Sequence, residues 1–216
     1  MTSRIKKKST IYAEDLSHEL LTPLAVIRTK AELLLQSPNL DGEDLKSLDV
    51  ILKSVSRMNR LNKALILLSK IDNDVYEDRI EVNLQQLCEE VLENYEDQIR
   101  SKNLRIRFHH DLKNRTNTNY NLVEILINNL LKNAVNHNIK GGEIQISLKN
   151  CRLDIKNTFD IKFPPPPAQF KRFTSSKSSE GSLGLGLSIV EKIVSRLDLE
   201  IKVHHSQTEY HITILF

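Results

Sequence analysis

Tryptophan is absent from this chain of 216 residues, and aromatic residues make up only 5% of it. A surface that stacks on nucleobases is therefore not expected. Cysteine occurs twice, as Cys88 and Cys151, far apart and without CxxC or Cys/His ligand spacing. That excludes a disulfide framework or a structural zinc site of the usual patterns. Six glycines and six prolines are too few for a collagen-like chain, and 39% apolar residues are too many for a disordered one. No charge of one sign dominates: 31 Lys plus Arg stand against 28 Asp plus Glu, a formal +3, and no nucleic-acid partner is expected. Nowhere is there a run of roughly 18 uncharged apolar residues that would span a membrane, nor the apolar core of a signal peptide after the basic start. The run Arg4-Ile5-Lys6-Lys7-Lys8 reads in two ways. It is a solvated helix start, or it lies just cytoplasmic of a membrane helix in a segment preceding this chain.

What is present is helical periodicity. From Ser9 to Gln36 the residues Ala13, Leu16, Leu20, Leu24, Ile27, Ala31 and Leu34 recur at steps of three and four, as one helix face requires. The turn formers Ser37-Pro38-Asn39-Leu40-Asp41-Gly42 interrupt it. A second stripe follows, Leu48, Ile51, Val55, Met58, Leu65 and Leu68, continuing to about Ile71. Two amphipathic helices with a short connection predict an antiparallel hairpin. One stripe per helix is half a bundle core, so a homodimer forming a four-helix bundle is expected.

Beyond the acidic segment 73–78 the pattern changes, which sets the expected domains at 1–72 and 79–216 with 73–78 as linker. Strands are predicted at Arg79–Val82, Leu104–Phe108, Glu143–Leu148, Arg152–Lys156, Leu199–His205 and Glu209–Phe216. Helices are predicted at Leu84–Ile99, Leu122–Val135 and Leu185–Leu197. The expected fold is α+β in two domains, a helical hairpin followed by an α/β sandwich. The pairs His109-His110 and His204-His205 fall on strands, where neighbours face opposite ways; they, and Asn114-Arg115-Thr116, read as surface features.

In Leu16-Ser17-His18-Glu19-Leu20-Leu21-Thr22-Pro23-Leu24, His18 lies about 200° round the helix from the core stripe and so faces water. Glu19 can take up the Nδ1 proton, leaving Nε2 as nucleophile, and Thr22 shares the His18 face at i+4. Pro23 interrupts the helical hydrogen bonding. Later, Asn128-Asn129-Leu130-Leu131-Lys132-Asn133 puts Asn129 and Asn133 at i, i+4 on one helix face. Gly181-Ser182-Leu183-Gly184-Leu185-Gly186 opens the last helix, where glycines let backbone N–H groups approach an anion.

The first of these segments resembles the phosphoacceptor box of sensor histidine kinases, usually Ser-His-Glu-Leu-Arg-Thr-Pro-Leu, with Leu21 in place of the Arg. The later segments resemble that family's ATP-binding domain, of the Bergerat type. The resemblance implies His18 as phosphoacceptor, Glu19 as acid/base and Thr22 as an aid to dephosphorylating a partner. It implies ATP and Mg²⁺ as cofactors, with Asn133 a Mg²⁺ ligand and Asn129 beside it. Around the nucleotide it implies Lys132, Asn157, Arg172 and Phe173 of the F box, and Gly184, Leu185 and Gly186 of the G2 box. Asn136 stands where the family often has Lys, Asn157 where it has the Asp that accepts from the adenine amine, and Phe159 where it has a glycine. The activity implied is a protein-histidine kinase, the cytoplasmic part of a bacterial inner-membrane sensor that phosphorylates a response regulator receiver domain. A dimeric docking scaffold with a degraded nucleotide site is the alternative.

Overall fold

The computed structural model describes residues 19–73, 76, 78–111, 114–159 and 185–216. These form a helical hairpin up to residue 73 and a unit of strands and helices over 76–159 and 186–216.

In the hairpin, α1 is helical over 19–34 and α2 spans Gly42–Asp72. The turn cluster ends in a helix start rather than running through Gly42. The Asp41 carboxylate accepts from the backbone N–H groups of Glu43 and Asp44, each at 2.8 Å, and the Asp44 side chain reaches back to the Asp41 N–H at 3.3 Å. That reciprocal cap satisfies donors that the first turn leaves open. The predicted stripes divide into lines with a seven-residue interval. Leu24 and Ala31 on α1, and Leu48, Val55 and Asn62 on α2, are buried; Leu20, Ile27 and Leu34, and Ile51, Met58 and Leu65, are exposed.

The second unit opens with β1 (Ile80–Asn83), whose last residue caps α3 (Leu84–Glu93): the Asn83 side chain accepts from the N–H groups of Gln85 and Gln86. The single helix predicted over Leu84–Ile99 is two. It breaks at Asn94 and Tyr95, and α4 covers Glu96–Ser101. Tyr95 is turned inward and its hydroxyl donates to Asn128 Oδ1 at 2.7 Å. A continuous helix would give up that contact and stack five carboxylates on consecutive turns. Strand β2 follows at Arg105–His110.

Asn114-Arg115-Thr116 is not bare surface. Asn114 is 3% exposed, and Arg115–Thr118 forms β3, antiparallel to β1, with Arg115 paired to Glu81 at 2.8 Å. A four-residue strand without apolar alternation gives no period-2 signal to read.

Helix α5 (Tyr120–Asn136) is capped by Asn119, whose Oδ1 accepts from the Leu122 N–H at 3.0 Å. At its other end the Lys102 ammonium donates to the Val135 and Asn136 carbonyls at 2.9 and 2.8 Å, a cation where the helix dipole favours one. The chain then forms β4 (Glu143–Lys149), β5 (Arg152–Thr158), α6 (Leu185–Leu197), β6 (Glu200–His205) and β7 (Glu209–Leu215). The turn joining β4 to β5 has φ of 50° at Asn150 and 58° at Cys151, the left-handed pair that a two-residue hairpin requires.

The five strands run in the order β2-β4-β5-β7-β6, with β2 parallel to β4 and the other pairs antiparallel. One sheet face is apolar: Ile144, Ile146 and Leu148, then Leu153 and Ile155, then Ile212 and Ile214, all buried. On α5, Leu122, Leu126, Ile127, Leu130 and Leu131 are at most 1% exposed, and this helix packs against β5. Helices thus cover one face of a mixed sheet, and the other face is polar.

Candidate nucleotide site

Asn129 and Asn133 lie where the buried face of α5 meets solvent, and both are half-buried. The Asn129 amide nitrogen donates to the Ile125 carbonyl, one turn back, at 2.8 Å. Its oxygen is thereby turned away from the helix. A Cβ added at Gly186, on the first turn of α6, would stand 3.2 Å from Asn129 Oδ1 and 3.8 Å from Asn133 Oδ1. The start of α6 therefore lies directly over the two amides, at a distance that only glycine leaves comfortable. This brings together three residues picked out on two separate motifs. Leu185, beside Gly186, is buried.

Asn157, the penultimate residue of β5, lies on the helix-covered face and is 6% exposed. Its amide nitrogen donates to the Thr158 carbonyl at 2.9 Å, so the amide oxygen is the end that can accept from a ligand. Its register partner on β7 is Tyr210, whose phenol burial pushes up to about 12, which keeps it a protonated donor. Phe159 is buried too, and its N–H donates to the Thr208 carbonyl at 3.0 Å. The strand's hydrogen bonding thus continues to the position at which the resemblance places a glycine.

Lys132 is exposed, about 100° round α5 from Asn133. It is not gathered with the other candidates. Glu19 and Thr22 are both exposed on α1 of the hairpin. His18, Arg172, Phe173 and Gly184 lie outside the described residues.

Sequence reading missed the polar joint beneath this site. The Thr158 hydroxyl donates to Asn138 Oδ1 at 2.5 Å and accepts from the Glu143 N–H at 3.0 Å, while the Asn138 amide donates to the Glu143 carbonyl at 3.1 Å. Gly142 lies against it; an added Cβ would run into Asn138 Oδ1 and Thr158 Oγ1. The joint ties the end of α5 to the strand that carries Asn157. Its signal was Gly142 following a polar helix end, too common a pattern to single out. Tyr95 falls on the apolar side of its helix in sequence, but nothing there marks its hydrogen bond to Asn128.

The arrangement offers amide oxygens, the positive end of a helix and a buried amide acceptor, a donor set that suits a phosphate-bearing nucleotide with a hard cation. A helical hairpin followed by an α/β sandwich with this asparagine pair under a glycine-started helix defines a two-domain class. Residues 11–74 match the family described as His Kinase A (phospho-acceptor) domain, and residues 118–216 the family described as Histidine kinase-, DNA gyrase B-, and HSP90-like ATPase. The chain belongs to the sensor histidine kinases of bacterial two-component systems. It is similar to the sensor protein kinase PmrB of Pseudomonas aeruginosa, 31% identical over 189 residues, which covers 83% of this chain and 39% of PmrB. It is likewise similar to the sensor protein DltS of Streptococcus agalactiae, 32% identical over 214 residues, 94% of this chain and 53% of DltS. The chain thus spans about half the length of these curated relatives, or less. The solved structure of histidine kinase ThkA in complex with response regulator protein TrrA shares the fold, with a TM-score of 0.59, 23% identity, and coverage of 93% of this chain and 60% of that one.

Proposed function

We propose that this chain is a kinase core that phosphorylates its own His18 from Mg-ATP and passes the phosphoryl group to an aspartate of a response regulator. The observation that carries this reading is the approach of Gly186 to Asn129 and Asn133, in a chain whose first helix contains the His18-Glu19-x-x-Thr22 segment. The helix start at Leu185 and Gly186, with Gly184 before it, binds the phosphates through backbone N–H groups. Asn133 and Asn129 offer amide oxygens to Mg²⁺, which when bound neutralises phosphate charge. Asn157 Oδ1 accepts from the adenine amine, and Arg172 and Phe173 complete the enclosure. Glu19 orients the His18 ring and accepts its Nδ1 proton as Nε2 attacks the γ-phosphorus in line. The N–P bond forms as the bond to the β,γ-bridging oxygen breaks, and ADP leaves. Thr22 serves the dephosphorylation of the regulator.

The exposed seven-residue lines of the hairpin, Leu20, Ile27 and Leu34 with Ile51, Met58 and Leu65, fit a homodimer that closes a four-helix bundle. The receiver domain docks beside His18 near Leu21 and Ala25, a partner of the kind that ThkA has in TrrA. In this reading the domains are 1–72 and 79–216 joined by 73–78, and the whole is the cytoplasmic part of a bacterial inner-membrane sensor. No helix among the described residues is long and apolar enough to cross a membrane.

A second reading has its own observation. Asn157 lacks a carboxylate, and Phe159 is buried beside it, which suits a docking scaffold that does not hydrolyse ATP. Incubation with γ-labelled ATP and Mg²⁺ decides between them. The kinase reading expects acid-labile, alkali-stable label that is lost in His18→Gln. A folded, dimeric wild-type chain without label supports the scaffold.

A further inference from the structure

On the strands of the sheet unit four carboxylates have cationic partners: Glu81 with Arg115, Glu143 with Arg107 at 3.2 Å, Asp154 with Arg152 at 2.8 Å and Glu200 with Lys202 at 2.9 Å. The surface of α3 and α4 is different. Glu89, Glu90, Glu93, Glu96 and Asp97 fall within nine positions, all exposed. Among the described residues none of the five is paired with a lysine or arginine; Glu89 and Glu90 accept only from the neutral side chains of Gln85, Gln86 and Tyr120. Three of them crowd the C-terminal half of α3, which has no acid in its first turn and no base in its last. That end of a helix repels negative charge, and Glu89 and Glu93 repel each other at i, i+4. A local rule broken without compensation inside the fold is expected where a surface serves something outside it.

Beside these carboxylates is a groove of about 470 Å³. Its floor is Leu92, Ile99 and Ile106, half-buried, and Glu89, Glu93 and Glu96 form its rim, with Arg100 as the single cation. Ile106 belongs to β2, the edge strand of the sheet, so no neighbouring strand closes that side. An apolar floor inside an acidic rim, in a chain that is net positive, is complementary to side chains that are aliphatic on one face and cationic along its borders.

We propose that this groove docks a basic amphipathic helix of a separate partner protein, its apolar stripe on Leu92, Ile99 and Ile106 and its lysines or arginines against Glu89, Glu93 and Glu96. The surface is distinct from Asn129, Asn133 and Asn157, so its occupation does not depend on the kinase reading.

The test uses the full chain and a fluorescently labelled peptide of leucine and lysine in helical period, read by anisotropy and by amide hydrogen exchange. The expected result is saturable binding with protection confined to α3, α4 and β2. Affinity should fall about tenfold in the double variant Glu93→Gln/Glu96→Gln and again in Ile99→Ser, and Asp49→Asn on the hairpin should leave it unchanged. Circular dichroism checks that Ile99→Ser folds, and the surface double variant carries the test if it does not. Equal binding of a scrambled peptide of the same composition would overturn the proposal, because it would reduce the effect to net charge. So would wild-type affinity in the double variant, or protection produced by self-association of this chain without peptide.

Discussion

The hairpin and the sheet unit dispose of their apolar side chains in opposite ways. A seven-residue interval returns a helix to within about 20° of the same direction, so each of the hairpin's lines is a stripe. The stripe through Leu24 and Ala31 is buried and the one through Leu20, Ile27 and Leu34 is not. In the sheet unit the corresponding residues of α5 and of β4, β5 and β7 are buried almost to the last atom. One region leaves an apolar stripe open, as the proposed dimer requires, and the other is complete in itself. Damage to the first should therefore depend on protein concentration, and damage to the second should not.

The largest effect is expected in the closed core. Leu126 is 0% exposed, and Leu126→Ala should cost the sheet unit about 2–5 kcal/mol, lowering its unfolding transition by the same amount at every protein concentration in calorimetry. A transition that moved with concentration would mean that this core, too, is shared between copies. Next comes the open seam. Met58 is 55% exposed, so Met58→Lys should leave the helicity of the single hairpin in place while shifting sedimentation from dimer to monomer, by about tenfold or more in dissociation constant. A variant that still sediments as the wild type does would place the interface elsewhere.

The same contrast explains what could be read from sequence. Period and turn chemistry were legible where they are local. The helices of the hairpin, α5, α6 and the hairpin of β6 and β7 follow from apolar spacing. The break at Tyr95 was not legible, because it is settled by a hydrogen bond to Asn128, 33 residues away. Strand β3 was hidden because its side chains are polar and its pairing with β1 is long-range. At the candidate nucleotide site the motifs marked Asn129, Asn133 and Gly186 separately; their convergence, and the joint of Asn138 with Thr158, are tertiary facts. Lys132 shows the converse, a residue that shares a motif with Asn133 but not a helix face.

That convergence can be sharpened by one methyl group. Gly186→Ala should favour the helix by up to about 1 kcal/mol through propensity, while its Cβ presses on Asn129 Oδ1 at 3.2 Å. The sheet unit should therefore melt no earlier than the wild type, yet bind a fluorescent ATP analogue about tenfold more weakly. Unchanged affinity would show that the Asn129 oxygen can yield at no cost to the nucleotide. Loss of stability together with affinity would show that the crossing of α5 and α6 is a packing constraint first.

The smallest effect concerns acid sensitivity within the sheet unit. Asp154, on the polar face of the sheet, is subject first to burial, which raises its pKa, but hydrogen bonds from Arg152, Thr213 and His211 outweigh burial and hold the carboxyl below its ordinary range. Unfolded, it titrates near about 3.9. As the folded value is the lower one, its contribution is present above about pH 3.9 and is lost as the pH falls through the folded value. In the hairpin the pairs Arg28 with Glu32 and Lys53 with Asp49 are exposed and contribute little at any pH, while the exposed Asp41 cap, held low by the backbone N–H groups of Asp44 and Glu43, loses its own small contribution over the same acid range. Urea titrations at descending pH should therefore show the sheet unit weakening on the acid side of pH 4, with Asp154→Asn flattening that slope and leaving the hairpin's curve unmoved. Parallel curves for wild type and variant would mean that the proton taken up on acid unfolding binds elsewhere, and that the polar sheet face contributes no acid sensitivity of its own.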